Sequence, residues 1–386
     1  MSGPDAALPA GFTAHVANIG IRDDTHDIAV VLADQPCAAS ALFTRSRFVG
    51  CSVELSRAHV ADGALQAVVV ISKNANVATG SEGKANAEEI VQRVADRLGL
   101  APDLVLLAST GVIGRQYPMD RVRAHLDQLE PPAGTDATAV ARAMMTTDTV
   151  PKIAVATAGA ARVVGVAKGV GMIEPRMATM LAFVFTDAQV APTELDLVFR
   201  TVVDRTFNCL SIDTDTSTSD TAAVLASGIA GPVDPAGLEA ALSEVCLSLT
   251  RQLARDGEGA EKLLVVEVTG AADGGQARRV AKSVVNSPLV KTAVHGADPN
   301  WGRVVMAVGK CEEDTNIDQH RVTVTFADHE VYPTPLDGEG LAHLETLLRA
   351  DEVHIGVDLG IADGRAVVYG CDLTDGYVRI NADYTT

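Results

Sequence analysis

The chain has 386 residues, of which 47% are hydrophobic and 21% are charged, and its formal net charge at pH 7 is -19. This composition is typical of a globular protein with a large core and excludes an intrinsically disordered chain. The negative charge argues against nucleic acid and against an anionic membrane as partners, because both attract clustered Lys and Arg.

Targeting and redox signals in the sequence favour a cytoplasmic location. The first residues, MSGPDAALPAG, lack the basic and apolar regions of a signal peptide, and no apolar run approaches the ~20 residues that span a bilayer. The six cysteines form no C-x-x-C pair, and the nine histidines form no H-x-x-x-H pair. We therefore expect reduced thiols, no metal site and no membrane contact.

Strand and helix signals alternate along the amino-terminal half. Strands are predicted at Asp27–Ala33, Gln66–Ser72, Leu104–Ser109, Lys152–Thr157 and Arg162–Ala167. Helices are predicted before Gly99, after Pro118, and from Thr135, as an amino-terminal cap, to Met145. The last two strands read as a hairpin.

The carboxy-terminal half continues the alternation. Strands are predicted at Met180–Phe185, Leu263–Thr269, Val304–Val308, Arg321–Phe326, Glu352–Val357, Ala366–Leu373 and Tyr377–Thr386. Helices are predicted from a Thr193 cap, over Leu238–Leu253 and over Ala277–Val285. This mixture predicts an α/β protein whose topology the sequence leaves open.

The segment Lys168–Asp187 reads KGVGMIEPRMATMLAFVFTD and places Thr179 between a glycine-rich loop and an apolar run. Attack of the Thr179 hydroxyl on the carbonyl of Ala178 would convert the peptide to an ester that water can cut. The new amino-terminal threonine would carry a nucleophilic hydroxyl and an α-amine whose pKa, ~7.7–8.0, suits a general base. From the local residues alone, an ordinary strand threonine is the alternative.

A wider resemblance supports the self-cleavage interpretation. GMIEPRMATMLAF resembles the self-cleavage segment of the ornithine acetyltransferase family, also called glutamate N-acetyltransferase. Further segments that match in order are STGVIGRQYPMDRV, DTDTSTSD and HGADPNWGRVVMAVG. The resemblance spans nearly the whole chain and implies an α/β fold of the ornithine acetyltransferase type. It also implies an α chain, 1–178, and a β chain, 179–386, that self-cleavage makes from one precursor.

The resemblance assigns roles to particular residues. It implies that Thr110 and Gly111 form the oxyanion hole. The substrate contacts that it implies are Thr146, Lys168, Thr179, Glu258, Asn381 and Thr386. From the residues alone, the favoured interpretations are an ordinary turn at Thr110-Gly111, a surface charge at Lys168 and a solvated carboxylate at Glu258.

Two features of the sequence bear on ligands. The segment DTDTSTSD suggests an EF-hand, but Thr218 stands at position six and Val224 at position twelve, which excludes calcium binding of that type. Lys73 and Arg176 depart from the residues usual in the family and add cations that could lie near the site.

The function that the resemblance implies is acetyl transfer from N2-acetylornithine to glutamate. The ping-pong reaction would run through an acetyl-Thr179 ester, without metal or cofactor, in arginine biosynthesis or a related specialised pathway. The α and β chains would stay associated, as an α2β2 heterotetramer or a larger assembly. One alternative is an amino-terminal-nucleophile aminopeptidase or amidase with water as acceptor; another is a non-catalytic amino-acid-binding protein.

Overall fold

The computed structural model describes residues 6–174, 180–334 and 336–383. The predicted α/β class is confirmed, since helices and strands alternate and build two sheets. The strands are β1 (Phe12–Ala17), β2 (Ile28–Phe43), β3 (Ala64–Ile71), β4 (Val105–Ser109), β5 (Lys152–Ala158), β6 (Ala161–Lys168), β7 (Leu181–Gln189), β8 (Thr221–Pro232), β9 (Leu263–Ala271), β10 (Thr323–Phe326), β11 (His329–Tyr332), β12 (Glu352–Asp358) and β13 (Gly364–Cys371).

The helices lie between and after these strands. They are α1 (Cys51–His59), α2 (Gly80–Leu98), α3 (Met119–Leu126), α4 (Ala137–Met144), α5 (Pro192–Arg205), α6 (Pro235–Arg255), α7 (Gly274–Val285), α8 (Pro288–His295), α9 (Trp301–Gly309), α10 (Gly338–Leu347) and α11 (Asp375–Asp383). Short 3₁₀ helices cover Val60–Asp62, Pro102–Leu104 and Phe207–Cys209. None of the helices in the described part of the chain has both the length and the apolar composition to cross a membrane.

The larger sheet has eight strands in the order β4-β3-β2-β8-β7-β6-β5, with β1 paired to β2. β7 and β8 run parallel in the middle, and β3 and β4 are parallel at one edge, while the other pairs are antiparallel. The predicted hairpin is therefore confirmed as β5 and β6. The carboxyl ends of β4 and β6 each lead directly into a segment that was predicted to carry site residues.

Alternating side chains of the central strands point to opposite faces of this sheet, as strand geometry requires. Ala182 and Val184 of β7 pack with α5 and α6 on one face. Phe183 and Phe185 pack with α4 and β1 on the other. Helices α2 and α3 cover a further cluster on β3 and β4. Because both faces are covered, the central strands read as continuous apolar runs.

The smaller sheet has the order β11-β10-β12-β9-β13, in which only β9 and β12 are parallel. Helices α7, α8, α9 and α10 contribute to its apolar core. Helix α6 ends just before β9, so the turn that joins the two sheets contains Glu258.

Several element predictions are wrong. Val304–Val308 lies in helix α9, and the described part of Tyr377–Thr386 lies in helix α11. The cap of α4 was predicted at Thr135, but it is Asp136, whose side chain accepts a hydrogen bond from the Thr138 N–H. The cap of α5 was predicted at Thr193, but that residue lies inside the helix, which follows Ala191 without a side-chain cap.

Candidate active site

One polar cavity of about 120 Å³ collects the predicted site residues that the structure describes. They reach it from the turn after β4, the loop before β5, the end of β6, the turn after α6, and α11. These residues are Thr110, Gly111, Thr146, Lys168, Glu258 and Asn381. The predicted nucleophile Thr179, its neighbour Ala178, and Thr386 lie outside the described residues. The roles of all these residues stay predictions.

The turn at Thr110 and Gly111 offers two hydrogen-bond donors to the cavity. The Thr110 N–H donates to the carbonyl of Ile71 at 3.1 Å, so its hydroxyl is the group left for a ligand. That hydroxyl accepts from Lys168 Nζ at 3.2 Å and thus keeps its own proton to donate. Among the described residues, none accepts a hydrogen bond from the Gly111 N–H.

Gly111 is required at this turn for two reasons. Its φ is +127°, a backbone conformation that side chains rarely adopt, and a Cβ there would lie 2.3 Å from the carbonyl carbon of Lys73. The hydroxyl and the free N–H are the two kinds of donor that an oxyanion hole combines.

Lys168, at the end of β6, supplies a positive charge with little access to solvent, since only 8% of the residue is exposed. Burial lowers the pKa of its ammonium, and the nearby carboxyls of Asp148, Asp220 and Glu258 oppose that shift. A buried ammonium gains more from an anionic partner than an exposed one does. The cavity is therefore suited to a ligand that carries a carboxylate.

Glu258, in the turn after α6, lines the same cavity as Lys168. Its N–H donates to the carbonyl of Val170 at 2.8 Å, which fixes the turn against the segment after β6. Its carboxylate accepts from Thr147 Oγ1 at 2.9 Å and from Asn381 Nδ2 at 2.8 Å. A Cβ at Gly171 would lie 2.6 Å from this carboxylate, so a side chain at that position would shift the carboxylate from its place. Each oxygen retains a lone pair with which to bind a ligand ammonium.

The acidic segment that suggested an EF-hand instead holds the backbone ahead of the predicted cleavage bond. The Asp213 carboxylate accepts from the N–H groups of Met172 and Ile173 at 2.6 and 2.7 Å. The Glu174 N–H donates to the carbonyl of Asp215 at 3.0 Å. The chain that enters Pro175 is thus fixed by three hydrogen bonds to one loop.

Asp220 also lines the cavity, and sequence reasoning gave it no role. It is 2% exposed, and its Oδ2 has no hydrogen-bond partner among the described residues. Burial raises its pKa well above the ordinary value, although the hydroxyls of Ser217 and Thr44 and the charge of Lys168 oppose the shift. Its position as the last residue of DTDTSTSD, just before β8, was the signal available in the sequence.

We predict that Asp220→Asn raises the melting temperature at pH 8 by about 2 °C or more and changes it less at pH 5. A raised folded-state pKa gives stability that is present below the unfolded pKa and is lost as pH rises. The amide cannot ionise and escapes this loss. Thermal unfolding at both pH values measures the difference, with the exposed Asp120→Asn as control. Equal shifts at the two pH values would contradict the prediction.

Lys73 does not supply a cation to the cavity, which corrects the expectation from sequence. Its ammonium is paired with Asp23 at 2.5 Å and also donates to the carbonyl of Thr25 at 3.0 Å. Its backbone, with φ of +69°, packs against Gly111. Lys73 thus contributes to the shape of the Thr110-Gly111 turn and not to the charge beside it. Arg176 lies outside the described residues.

Away from the cavity, one group of side chains in the described chain could hold a metal ion. It consists of Glu261, His295 and Asp372. His295 Nδ1 lies 3.0 Å from Asp372 Oδ2, and Asp372 Oδ1 accepts from the N–H groups of Glu261 and Lys262. These residues do not line the cavity, and their contacts close the turn between α6 and β9.

Comparisons with known proteins identify the family of this chain. A model of the ArgJ family matches residues 13–386. Glutamate N-acetyltransferase Oat2 of Streptomyces clavuligerus is 57% identical over 393 residues, with 100% of each chain covered. Arginine biosynthesis bifunctional protein ArgJ of Rhodococcoides fascians is 54% identical over 388 residues, which cover 99% of this chain and 95% of that one. The crystal structure of arginine biosynthesis bifunctional protein argJ from Bacillus halodurans is 42% identical, with a TM-score of 0.50, and covers 53% of this chain and 100% of that chain.

The fold and the cavity define an α/β protein with a site whose lining includes both an ammonium, from Lys168, and a carboxylate, from Glu258. The family model matches nearly the whole chain, and two relatives are more than 50% identical to it, so the comparisons identify the family within this class. The chain belongs to the ArgJ family.

Proposed function

We propose that this protein is a glutamate N-acetyltransferase that moves the acetyl group of N2-acetylornithine to glutamate in arginine biosynthesis. The names of its full-length relatives support this activity. The observation that carries the proposal is that one cavity is lined by a hydroxyl, an ammonium, a carboxylate and a backbone N–H that has no acceptor among the described residues.

The active enzyme arises from a cut between Ala178 and Thr179. The Thr179 hydroxyl adds to the carbonyl of Ala178, the C–N bond breaks, and an ester forms. The α-amine of Thr179 is released when the C–N bond breaks. Water then hydrolyses the ester, which leaves a carboxylate on Ala178 and frees the hydroxyl of Thr179. The hydrogen bonds that the N–H groups of residues 172–174 donate to Asp213 and Asp215 support this proposal, because they fix the approach of the segment that is cut.

Transfer then proceeds in two half-reactions. The Thr179 hydroxyl attacks the acetyl carbonyl while its α-amine takes the hydroxyl proton, and Thr110 Oγ1–H and Gly111 N–H stabilise the oxyanion. The C–N bond breaks, the proton passes to the leaving nitrogen, and ornithine departs. The neutral amine of glutamate next attacks the acetyl ester and gives a proton to the α-amine. The C–O bond to Thr179 breaks, the α-ammonium returns the proton to Thr179 Oγ1, and acetylglutamate departs.

Charge complementarity supports the assignment of binding roles. Lys168 binds the α-carboxylate that donor and acceptor share, and Glu258 binds an ammonium of the substrate. Thr146 and Asn381 line the same cavity and add hydrogen bonds, and Thr386 completes the set proposed from the sequence. This scheme needs no metal or organic cofactor.

We further propose that the two chains stay together in the cytoplasm, as an α2β2 heterotetramer or a larger assembly. Their association is supported by the larger sheet, in which strands from both sides of position 178 are paired. Native mass spectrometry tests the stoichiometry.

The proposal predicts that sustained ornithine release from N2-acetylornithine depends on glutamate. Without an acceptor, we expect about one ornithine per active site, because no acceptor amine is present to remove the acetyl group from Thr179. With glutamate, release continues and acetylglutamate accumulates in equal amount. Chromatographic quantification of both products measures this.

The matched control acceptor is 2-oxoglutarate, which keeps both carboxylates but lacks the amine. It should not sustain turnover. Continued release of ornithine and acetate without any amine acceptor would favour the alternative, an amidase that uses water.

A further inference from the structure

Three proposed substrate contacts come from three distant segments of the chain. Thr146 precedes β5, Lys168 ends β6, and Glu258 follows α6. All three segments are hydrogen-bonded to or contain a member of one buried ionic network, defined here as Asp148, Lys152 and Asp256. None of the three network residues lines the cavity.

Asp148 joins the first two segments. Its Oδ2 accepts from the N–H of Thr146 at 3.1 Å, and its Oδ1 accepts from the N–H of Gly169, next to Lys168, at 2.7 Å. The same Oδ1 accepts from Lys152 Nζ at 2.7 Å. One carboxylate thus sets the backbone beside two of the proposed substrate contacts.

Lys152 joins this carboxylate to the third segment. Its side chain is fully buried, and its ammonium donates to Asp256 Oδ2 at 2.6 Å. Asp256 also accepts from the N–H of Thr149 at 3.0 Å, and two residues later the chain reaches Glu258. A single ammonium therefore ties together all three segments that carry substrate contacts.

The network also affects whether the Lys168 ammonium is available to a ligand in the cavity. Burial favours the neutral form of Asp148, yet the positive charges of Lys168 and Lys152 together lower its pKa. Asp148 therefore interacts with two ammonium groups, of which only Lys152 is hydrogen-bonded to it. Lys168 keeps its hydrogen bond to Thr110 and faces the cavity.

Stability alone does not account for this arrangement. Apolar replacements of a whole buried ionic network commonly leave stability unchanged or raise it. Removing only the lysine would leave Asp148 and Asp256 as two buried carboxylates with no cation between them. The nearest cation for Asp148 would then be Lys168.

We propose that Lys152 is a positioning residue that satisfies Asp148 and Asp256 and so leaves Lys168 free to bind the substrate carboxylate. This inference rests on the proposed function, since it concerns the carboxylate site of that reaction. Lys152 touches no substrate; it acts through Asp148 on Lys168.

The test compares wild type, Lys152→Met and the double variant Lys152→Met/Asp148→Asn. We expect Lys152→Met to raise KM for N2-acetylornithine by about tenfold or more, the value of a hydrogen bond to a charged group, with a smaller change in kcat. The double variant lacks the competing carboxylate charge, so its KM should return toward the wild-type value. Relief of an unpaired buried carboxylate would by itself restore the amount of folded enzyme and therefore kcat. Release of Lys168 restores KM, which does not depend on the amount of folded enzyme, so KM is the constant that tests the inference.

A binding readout separates this inference from the proposed function. Calorimetry should show that Lys152→Met weakens L-ornithine binding by about tenfold and leaves putrescine, which lacks the carboxylate, unchanged. If wild type transfers no acetyl group, the proposed function fails, yet the ornithine comparison still tests the role of Lys152.

The matched control is Lys262→Met, another buried lysine, whose ammonium donates to the carbonyls of Val294 and Leu348 and does not line the cavity. It should leave KM and ornithine affinity unchanged. An unchanged KM in Lys152→Met would overturn the inference. So would equal weakening of ornithine and putrescine, or a double variant as impaired as the single one.

Discussion

Thr179→Ala is expected to remain a single chain of 40.1 kDa and to lose acetyl transfer by at least about 10⁴-fold. The alanine has no hydroxyl to attack the carbonyl of Ala178, so the ester cannot form. The uncut chain also lacks the α-amine, which removes nucleophile and base together. Intact mass under denaturing conditions should give two fragments for wild type, beginning at Met1 and Thr179, and one species for the variant.

Two variants control for this result. Thr179→Ser keeps a hydroxyl at the same position and should still be cut and active. Thr201→Ala removes an exposed hydroxyl that bonds the carbonyl of Leu197 within α5, and it should behave as wild type. A single uncut chain in an active wild-type preparation would exclude the mechanism, because no free α-amine would exist.

The second large effect is expected for Thr110→Val, which removes a hydroxyl and keeps the shape of the side chain. We expect kcat to fall by about 10²–10³-fold, the usual cost of one oxyanion donor. The change in KM should be smaller, because the oxyanion exists only in the transition state and the intermediate. Steady-state kinetics with N2-acetylornithine and glutamate measure both constants.

Thr110→Ser serves as the matched variant, since its hydroxyl can still accept from Lys168 and donate to the oxyanion. Most of the activity should be retained. If Thr110→Val raises KM and leaves kcat unchanged, the hydroxyl serves to hold Lys168 and is not part of an oxyanion hole.

The cavity could be anticipated from sequence because its members lie in short segments with distinctive local patterns. Thr110-Gly111 follows an apolar strand, and Lys168 follows a hairpin, so strand ends already marked both positions. That Thr110, Lys168 and Glu258 would meet was implied only by the family resemblance. Hydrophobic periodicity carries no information about which strand ends become neighbours.

Two short apolar segments were assigned to the wrong element for a physical reason. Val304, Ala307 and Val308 are buried, while Met306 points outward, so the run VVMAV follows helical spacing over too few residues to be distinguished from a strand. At the carboxy-terminal end, helix α11 buries none of its residues, and Val378 is 63% exposed. Because this helix has no buried face, its sequence lacks the helical spacing of apolar residues that would have predicted it.

The ionic network was beyond sequence reasoning because its contacts are non-local. Lys152 is the first residue of a predicted strand, and Asp256 follows the predicted helix Leu238–Leu253. They are 104 positions apart, yet their side chains meet at 2.6 Å. The sequence does not show whether a lysine is buried or exposed, so the burial of Lys152 could be found only from the fold.

The order of strands in the larger sheet has a consequence for how the protein matures. β7 and β8 follow position 179 and lie between β2 and β6, which precede it. The sheet can therefore close only after the chain has been synthesised through Pro232, and a precursor cut before that point would leave β2 and β6 as unpaired edges open to aggregation. Under the proposed self-cleavage, the cut must therefore follow synthesis and folding, and two halves expressed from separate genes would have to associate while the sheet of each is incomplete.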